Sequence, residues 1–494
     1  MSAKICLVLT EDTIEKNLRL IDEYKNYIDI VELRADFLKG DEVLSIRKFP
    51  AFVDVPVILT LRRVVDGGFC TSGEGARVTL FARGLSFADS NPKNNFAYVD
   101  FEHDFDSSGF EEVAQAFNIK IIRSLHSINE PVKNILQTIQ KIRKAPEDIV
   151  KLSFKSECLK DVTKIFSSVN NYMKPYIISP TGRFSLPARL LATKIGSEIV
   201  YTFSKEHIKK YNLEKEAIDP IELNDVYGFK NLDERTKVFG IIGKDVRHSK
   251  SPIIHNEGYR RKNMNAVYIP ISVKNAYDAL EFAERIGICG LSVTSPFKQD
   301  VIPYTSKLSD NAKNVMSVNT LLKQGRNNVI GYNTDIEGLK IALKNFLNRE
   351  SLKGMKVAII GAGGVANSVA LVVKEMSGSA CILNRTIEKA AQLAEKYNFK
   401  WAFLDSVALS LLQEFSDLII QTTTVGSMEN PNKDPLDFYA FNGNEKVFDL
   451  IYQPKKTVLM QRAERAGCKV CNGYEMLKAQ AYLQFNIFTG RDYE

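Results

Sequence analysis

Residues 356–366 read Lys-Val-Ala-Ile-Ile-Gly-Ala-Gly-Gly-Val-Ala, and residues 381–386 read Cys-Ile-Leu-Asn-Arg-Thr. The first string is an apolar strand, 357–360, that runs into Gly361-x-Gly363-Gly364-x-Ala366; a helical stretch separates it from the second. Glycine at 361, 363 and 364 removes side chains where the backbone must turn sharply and where a pyrophosphate would approach the N-terminus of the next helix, and Val365 and Ala366 are expected to bind cofactor with them. Strand, glycine turn, helix and strand in that order predict a dinucleotide-binding βαβ unit, a more specific signal than glycine spacing alone, which structural turns also show. The tip of the second strand carries the choice of cofactor. An NAD site usually has Asp or Glu there to accept from the ribose hydroxyls, whereas Asn384, Arg385 and Thr386 offer a guanidinium and small donors suited to a 2'-phosphate. NADP is the expected cofactor.

This unit explains only the last third of a chain of 494 residues, which at about 150 residues per domain calls for roughly three domains. With 45% hydrophobic and 25% charged residues the composition is ordinary for a globular protein. No apolar run nears the roughly 20 residues of a membrane helix, so no membrane partner is expected. The run 5–9, Ile-Cys-Leu-Val-Leu, is too short for a signal peptide and is followed by Glu11 and Asp12, which predicts a cytoplasmic protein. Seven scattered cysteines, an odd number, fit reduced thiols. Cys468-Lys-Val-Cys471 lacks a second pair of ligands at metal-site spacing and reads as strand cysteines, so no metal is expected. The net charge of +7 is spread out, without the basic runs interleaved with aromatics of nucleic-acid binders, and small anionic ligands account for it.

Before the dinucleotide unit, short β-branched runs alternate with helical stretches at 5–10, 28–36, 55–62, 96–102, 121–126, 148–154, 176–179 and 199–203. Eight strands in such a span predict a small (β/α)8 barrel, with chemistry at the C-terminal ends of the strands. Polar residues inside these runs are the candidates: Glu32 and Arg34, Arg62, His126 and Lys151. A lysine within Asp-Ile-Val-Lys151-Leu-Ser-Phe is costly to bury charged, and burial favours the neutral, nucleophilic amine of a Schiff base. The alternative is an ion pair with Glu32 inside the barrel. His126, on the next strand, could move protons for carbonyl chemistry begun at Lys151, although a lone histidine is more often structural.

The strings Glu-Leu-Arg-Ala-Asp (32–36), Thr-Leu-Arg with Asp-Gly-Gly (60–68), Val-Asp-Phe-Glu (99–102), Ser-Leu-His (124–126) and Ile-Val-Lys (149–151) resemble those of type I 3-dehydroquinate dehydratases. The resemblance implies that Lys151 forms an imine with the substrate's ketone and that His126 takes the neighbouring proton and returns one to the departing hydroxyl. It also implies that Glu32, Arg34, Arg62 and Arg189 hold substrate, Arg189 at the carboxylate. Three positions depart from the family pattern: Asp66 replaces a glutamate that orients the histidine, Ala188 replaces the serine before Arg189, and residues 214–221 lack the usual Ser-Ala-Pro-Gly-Gln lid.

After a polar joint at 230–237, a new strand leads into Gly243-Lys-Asp-Val-Arg-His-Ser249-Lys-Ser251-Pro252. Two serines at a strand-to-helix junction can face a carboxylate, and equally can cap the helix. Gly290-Leu-Ser-Val-Thr-Ser-Pro-Phe-Lys298 and Gly331-Tyr-Asn-Thr-Asp335 add an ammonium and a carboxylate, the pair that alcohol–ketone interconversion needs for its proton. These strings, with Ser317-Val-Asn-Thr320, Thr423-Thr-Val-Gly426, Phe448-Asp-Leu-Ile-Tyr452 and Gly473-Tyr-Glu-Met-Leu-Lys-Ala-Gln480, resemble shikimate dehydrogenases. By that likeness Lys298 and Asp335 are catalytic; Ser249, Ser251, Thr294, Asn319 and Gln480 hold substrate. Gly361, Gly363, Gly364, Asn384, Arg385 and Thr386 hold NADP, with Thr423, Tyr452 and Gly473 near the ribose and nicotinamide. Asp245 replaces a usual proline, Ser292 a frequent asparagine and Thr422 a frequent alanine.

The expectation is therefore an α/β chain: an N-terminal (β/α)8 barrel (1–229), then a two-domain α/β dehydrogenase made of a substrate domain (237–337, completed by 474–494) and a Rossmann NADP-binding domain (338–473). The implied activity is dehydration of 3-dehydroquinate followed by reduction to shikimate, on small-molecule substrates. Alternatives are an active shikimate or quinate dehydrogenase with an inactive barrel, and a sensor that binds without turnover.

Overall fold

The computed structural model describes residues 2–86, 89, 91–105, 108–169, 175–325 and 328–494. The chain packs as two compact units, Met1–Phe297 and Lys298–Glu494. The first holds the barrel strands β1 (Lys4–Leu9), β2 (Ile30–Arg34), β3 (Val57–Thr60), β4 (Tyr98–Glu102), β5 (Lys120–Ser127), β6 (Ile149–Lys155), β7 (Tyr176–Thr181) and β8 (Ile199–Thr202). They pair in parallel in the order β8-β1-β2-β3-β4-β5-β6-β7. The ring closes where Glu198 N donates to Tyr176 O at 2.9 Å and Ile178 N to Ser197 Oγ at 3.3 Å. All eight strands expected from the sequence are present.

Because side chains alternate across a strand, one residue in two from each strand enters the barrel. The inner apolar layer is Cys6, Ile30, Ile58, Tyr98, Ile122, Ile149, Ile177, Ile199 and Tyr201, with Val8 above Cys6. Two residues further along their strands, the same inward face gives Glu32, Thr60, Asp100, Ser124 and Lys151, so one layer changes from apolar to charged by sequence register alone. The outward residues of β4 join the helical layer, where Phe101 stacks on Phe105 and meets Phe81 edge-on, with centroids 5.2 and 5.0 Å apart.

The first unit also contains β9 (Lys237–Gly243), β10 (Ala266–Ser272) and β11 (Gly290–Val293), with β10 and β11 parallel to and flanking β9. The expected break at 229–237 therefore lies inside a compact unit. Its physical cause is helix packing: Phe166 of Leu159–Ser168 meets Phe282 of Ala276–Ile286 edge-on, centroids 5.9 Å apart.

In the second unit, β12 (Lys307–Leu308) is parallel to β14 (Val329–Tyr332), which is antiparallel to β13 (Thr320–Lys323). The remaining strands, β15 (Lys356–Ile360), β16 (Ser379–Asn384), β17 (Lys400–Phe403), β18 (Leu418–Gln421), β19 (Lys446–Asp449) and β20 (Lys469–Asn472), form a parallel sheet in the order β17-β16-β15-β18-β19-β20. That order is the doubly wound dinucleotide-binding topology, and its direction reverses between β15 and β18, where the ligand crevice opens at the strands' carboxyl ends. Both faces are covered by apolar side chains, as a parallel sheet requires.

Candidate active sites

In the barrel, Lys151 is 4% exposed and its Nζ lies 2.9 Å from Asp100 Oδ2 and 3.3 Å from Glu32 Oε1, with the Tyr201 ring centroid 4.1 Å away. From the sequence, Lys151 is either a Schiff-base amine or the partner of Glu32 in an ion pair. The structure supplies Glu32 and adds a nearer partner, Asp100. Asp100 also accepts from Arg62 Nη2 at 2.8 Å and Ser124 Oγ at 2.6 Å, while Arg62 Nη1 reaches Ser124 Oγ at 3.0 Å. Thr60 Oγ1 donates to Glu32 at 2.9 Å. Burial alone would raise the Asp100 carboxyl, but the Arg62 and Lys151 charges hold it well below the usual carboxylate range.

Parallel pairing sets Ser124 opposite Lys151, which puts His126, two residues on and on the same face, diagonal to the lysine. Its Nε2 is buried with no protein partner among the described residues. Burial, reinforced by the Arg62 and Lys151 charges, holds the imidazole well below its usual value. A neutral histidine with an open nitrogen beside an amine can accept a proton.

The other expected barrel residues sit differently. Asp66 gives its carboxylate to Arg63 Nε at 2.6 Å, and Arg63 also binds Asp104; with no hydrogen bond from Asp66 to His126 among the described residues, the expected orienting contact gives way to a partner three residues away. Arg34 is held bidentately by Asp36 at 2.9 and 2.7 Å. Arg189 donates to three backbone carbonyls, of Glu216, Tyr201 and Pro180, at 2.9, 3.0 and 3.4 Å. Those bonds use three of its five N–H groups.

Still in the first unit, Ser251 begins the helix Ser251–Arg261 behind Lys250 at the N-cap, and its N–H donates to Ser249 Oγ at 3.2 Å, so Ser249 satisfies the first N–H of the helix. The buried Tyr268 hydroxyl donates to Ser292 Oγ at 2.5 Å. A Cβ on Gly243 would stand 2.6 Å from Thr294 Cγ2, so the glycine lets Thr294 close against the end of β9.

In the second unit, Lys298 Nζ and Asp335 Oδ2 are 2.7 Å apart, with side chains 21% and 14% exposed, reachable by a ligand and shielded enough to keep their charge pairing. Asp335 begins the helix Asp335–Leu347, where the dipole favours a carboxylate. Asn319 Nδ2 donates to Thr334 Oγ1 at 2.9 Å and to Gln480 Oε1 at 3.5 Å; Gln484 Nε2 donates to Asn319 O at 3.1 Å. Gly338 allows this: a Cβ there would lie 2.7 Å from Gln480 Cβ, so the helix Tyr474–Thr489 crosses in direct backbone contact. Asn319, Gln480, Lys298 and Asp335 are four expected site residues of this unit; Thr334, within the string 331–335, and Gln484, which the sequence does not single out, join their hydrogen-bond network.

The dinucleotide turn fits its expected ligand. Gly361 has φ +111°, and a Cβ there would stand 2.5 Å from Thr422 Oγ1 and 2.8 Å from Thr423 Cγ2. At Gly363 and Gly364, which open the helix Gly364–Glu375, an added Cβ would meet nothing within 4 Å, leaving the helix N-terminus open to an anion. A cavity of about 1060 Å³ continues from this turn past Val365, Asn384, Arg385 and Thr423. Arg385 is exposed. Thr386, Ala366, Tyr452 and Gly473 are not on its lining among the described residues. Ala366 is fully buried in the core with Val357 and Ile359, so it serves helix–strand packing. Gly473 caps the last helix where a Cβ would lie 2.0 Å from Leu450 O.

Residues 5–231 match the family model "Type I 3-dehydroquinase", 241–321 "Shikimate dehydrogenase substrate binding domain", and 340–429 "Shikimate / quinate 5-dehydrogenase". A "Shikimate dehydrogenase (NADP(+))" of Pyrococcus furiosus is 34% identical over 53% of this chain and 93% of its own length. Among solved structures, a shikimate 5-dehydrogenase of Thermus thermophilus in complex with NADP(H) and shikimate is 29% identical over 52% of this chain and 94% of that one, TM-score 0.47. The "Bifunctional 3-dehydroquinate dehydratase/shikimate dehydrogenase, chloroplastic" of Arabidopsis thaliana is 30% identical across 98% of this chain and 82% of its own length. With both halves matched in order along one relative, the chain belongs to the family of bifunctional 3-dehydroquinate dehydratase/shikimate dehydrogenases.

Proposed function

We propose that residues 1–229 dehydrate 3-dehydroquinate to 3-dehydroshikimate through an imine on Lys151, and that the dehydrogenase half reduces this ketone to shikimate with NADPH. The observation that carries the reading is the charged layer inside the barrel: a buried lysine held by Asp100 and Glu32, diagonal to a neutral histidine. Lys151 Nζ, once it has passed its proton on, adds to the ring ketone and loses water to give the imine. His126 then accepts the proton from the neighbouring carbon, the electron pair moving into the imine. The protonated His126 gives that proton to the departing hydroxyl, which leaves as water, and hydrolysis of the imine frees Lys151. Asp100 and Glu32 hold the lysine in line, and Arg189 directs its remaining donors to the substrate carboxylate.

In the second half, the open turn at Gly361–Gly364 holds the pyrophosphate and Arg385 the 2'-phosphate; NADPH, when bound, supplies a hydride. Lys298 donates the proton that the reduced oxygen needs, with Asp335 keeping the ammonium oriented. Asn319 and Gln480 bind ring hydroxyls of the substrate. We assign 237–337 with 474–494 to substrate and 338–473 to NADP. Among the described residues no helix is long and apolar enough to cross a membrane; the seven free thiols support a cytoplasmic setting.

Incubating the protein with 3-dehydroquinate and borohydride tests the barrel half. The reading expects a stable adduct whose mass maps to the peptide carrying Lys151 and which Lys151→Ala abolishes. An active dehydrogenase that forms no adduct would reduce the barrel to a scaffold.

A further inference from the structure

After β9 the chain passes through residues 244–250 on its way to Ser249 and Ser251, and side chains in this loop engage the C-terminal mouth of the barrel. Arg247 holds Glu222 bidentately, Nη1 to Oε1 at 2.6 Å and Nη2 to Oε2 at 2.7 Å, and its Nε donates to Glu214 O at 2.9 Å. Asp245 Oδ2 lies 2.9 Å from Lys215 Nζ and 3.7 Å from Arg183 Nη2, and Arg183 also donates to Lys244 O. Glu214, Lys215 and Glu222 lie in the chain that leaves β8, and Arg183 in the loop that leaves β7, so both engaged segments lie at the strand ends where barrels of this kind keep their chemistry.

The contacts continue inward. Glu216, between these anchors, accepts from Gly182 N through its carboxylate and from Arg189 Nε through its carbonyl, the latter at 2.9 Å. A path of direct contacts thus runs from Arg247 through residues 214–216 to Arg189. Two departures from the usual family pattern, Asp245 for proline and the unrecognisable lid at 214–221, are the segments that touch each other. The Arg247 side chain is only 12% exposed, which separates this fork from an ordinary surface ion pair.

We propose that Arg247 and Asp245, although they belong to the dehydrogenase half, are positioning residues for the dehydratase site, fixing the segment after β8 and through it Arg189. This rests on the reading of the barrel as a dehydratase with Arg189 at the substrate carboxylate. A loop already ordered spares each binding event the ordering entropy, so its release is paid in substrate affinity rather than in the chemistry at Lys151.

The test uses the full-length chain. Arg247→Ala is expected to raise KM for 3-dehydroquinate roughly tenfold, the effect of losing a charged hydrogen-bonded pair, with kcat changed far less. Glu222→Gln, a milder change that keeps shape, is expected to shift KM in the same direction by about threefold and serves if Arg247→Ala folds poorly. The exchange Arg247→Glu with Glu222→Arg should recover most of the lost affinity, which general destabilisation would not do. Folded Arg247→Ala and Glu222→Gln proteins with wild-type KM for 3-dehydroquinate would overturn the proposal. A wild-type protein with no turnover of 3-dehydroquinate and no borohydride adduct would instead sink the reading beneath it.

Discussion

Asp100 takes three donors, from Lys151 on β6, Ser124 on β5 and Arg62 just past the end of β3, and is fully enclosed. Removing its charge leaves two cations buried without full compensation, a loss of about 3 kcal/mol or more. Asp100→Asn is therefore expected to lower the denaturation midpoint in urea and to cut dehydratase kcat at least tenfold, as Lys151 loses its nearest anchor, while 3-dehydroshikimate reduction persists. Equal dehydratase rates in the two proteins would remove Asp100 from the account. Lys151 and His126 were legible in the sequence because each is a polar side chain inside an apolar run. Asp100 stands in such a run too, but its importance depends on which strands are neighbours, and that follows only from the closed ring. For Asp66 and Arg34 the fold adds what the sequence leaves unsaid, that each is engaged by a partner close in sequence, Arg63 and Asp36. At the cofactor, Arg385 is exposed at the cavity's edge. Arg385→Ala should raise KM for NADP about tenfold and leave that for NAD nearly unchanged; parallel changes in both would show that it does not read the 2'-phosphate.

Among the elements, β19 ends on Asp449, which is fully buried and accepts from Thr457 Oγ1 at 2.7 Å and Ile451 N at 2.9 Å. Burial dominates and pushes its carboxyl up to about 6. The folded state therefore prefers the protonated form, so this group costs nothing below the ordinary aspartate value near 4 and removes stability as pH rises through 6, by about 3 kcal/mol once fully ionised. Asp449→Asn keeps an acceptor and discards the charge. Its stability relative to wild type, measured by urea unfolding, should improve between pH 4 and pH 7; a difference that stays constant across that range would mean Asp449 is accommodated as the ion. The elements themselves were largely legible, because period-two apolar runs between helical stretches announce a barrel. Their ends were less so: the strand expected over 28–36 stops at Arg34, where Asp36 turns to bind Arg34 and the Phe69 N–H.

At the scale of the molecule, the sequence called for three domains and the chain packs as two compact units, because the helices of the barrel share side-chain contacts with the first strands and helices of the dehydrogenase half. Motif strings report strands and turns well, but they carry no information about which outer faces of two domains are complementary. The order of the halves along the chain follows the order of the two reactions, and the family matches repeat that order. The central claim is that one polypeptide completes both steps. The most direct measurement gives the purified chain 3-dehydroquinate and NADPH and follows NADPH oxidation together with shikimate formation. The account predicts one shikimate per NADPH consumed, with Lys151→Ala silent on 3-dehydroquinate yet active on 3-dehydroshikimate. NADPH oxidation from 3-dehydroshikimate but none from 3-dehydroquinate in the wild-type chain would contradict it.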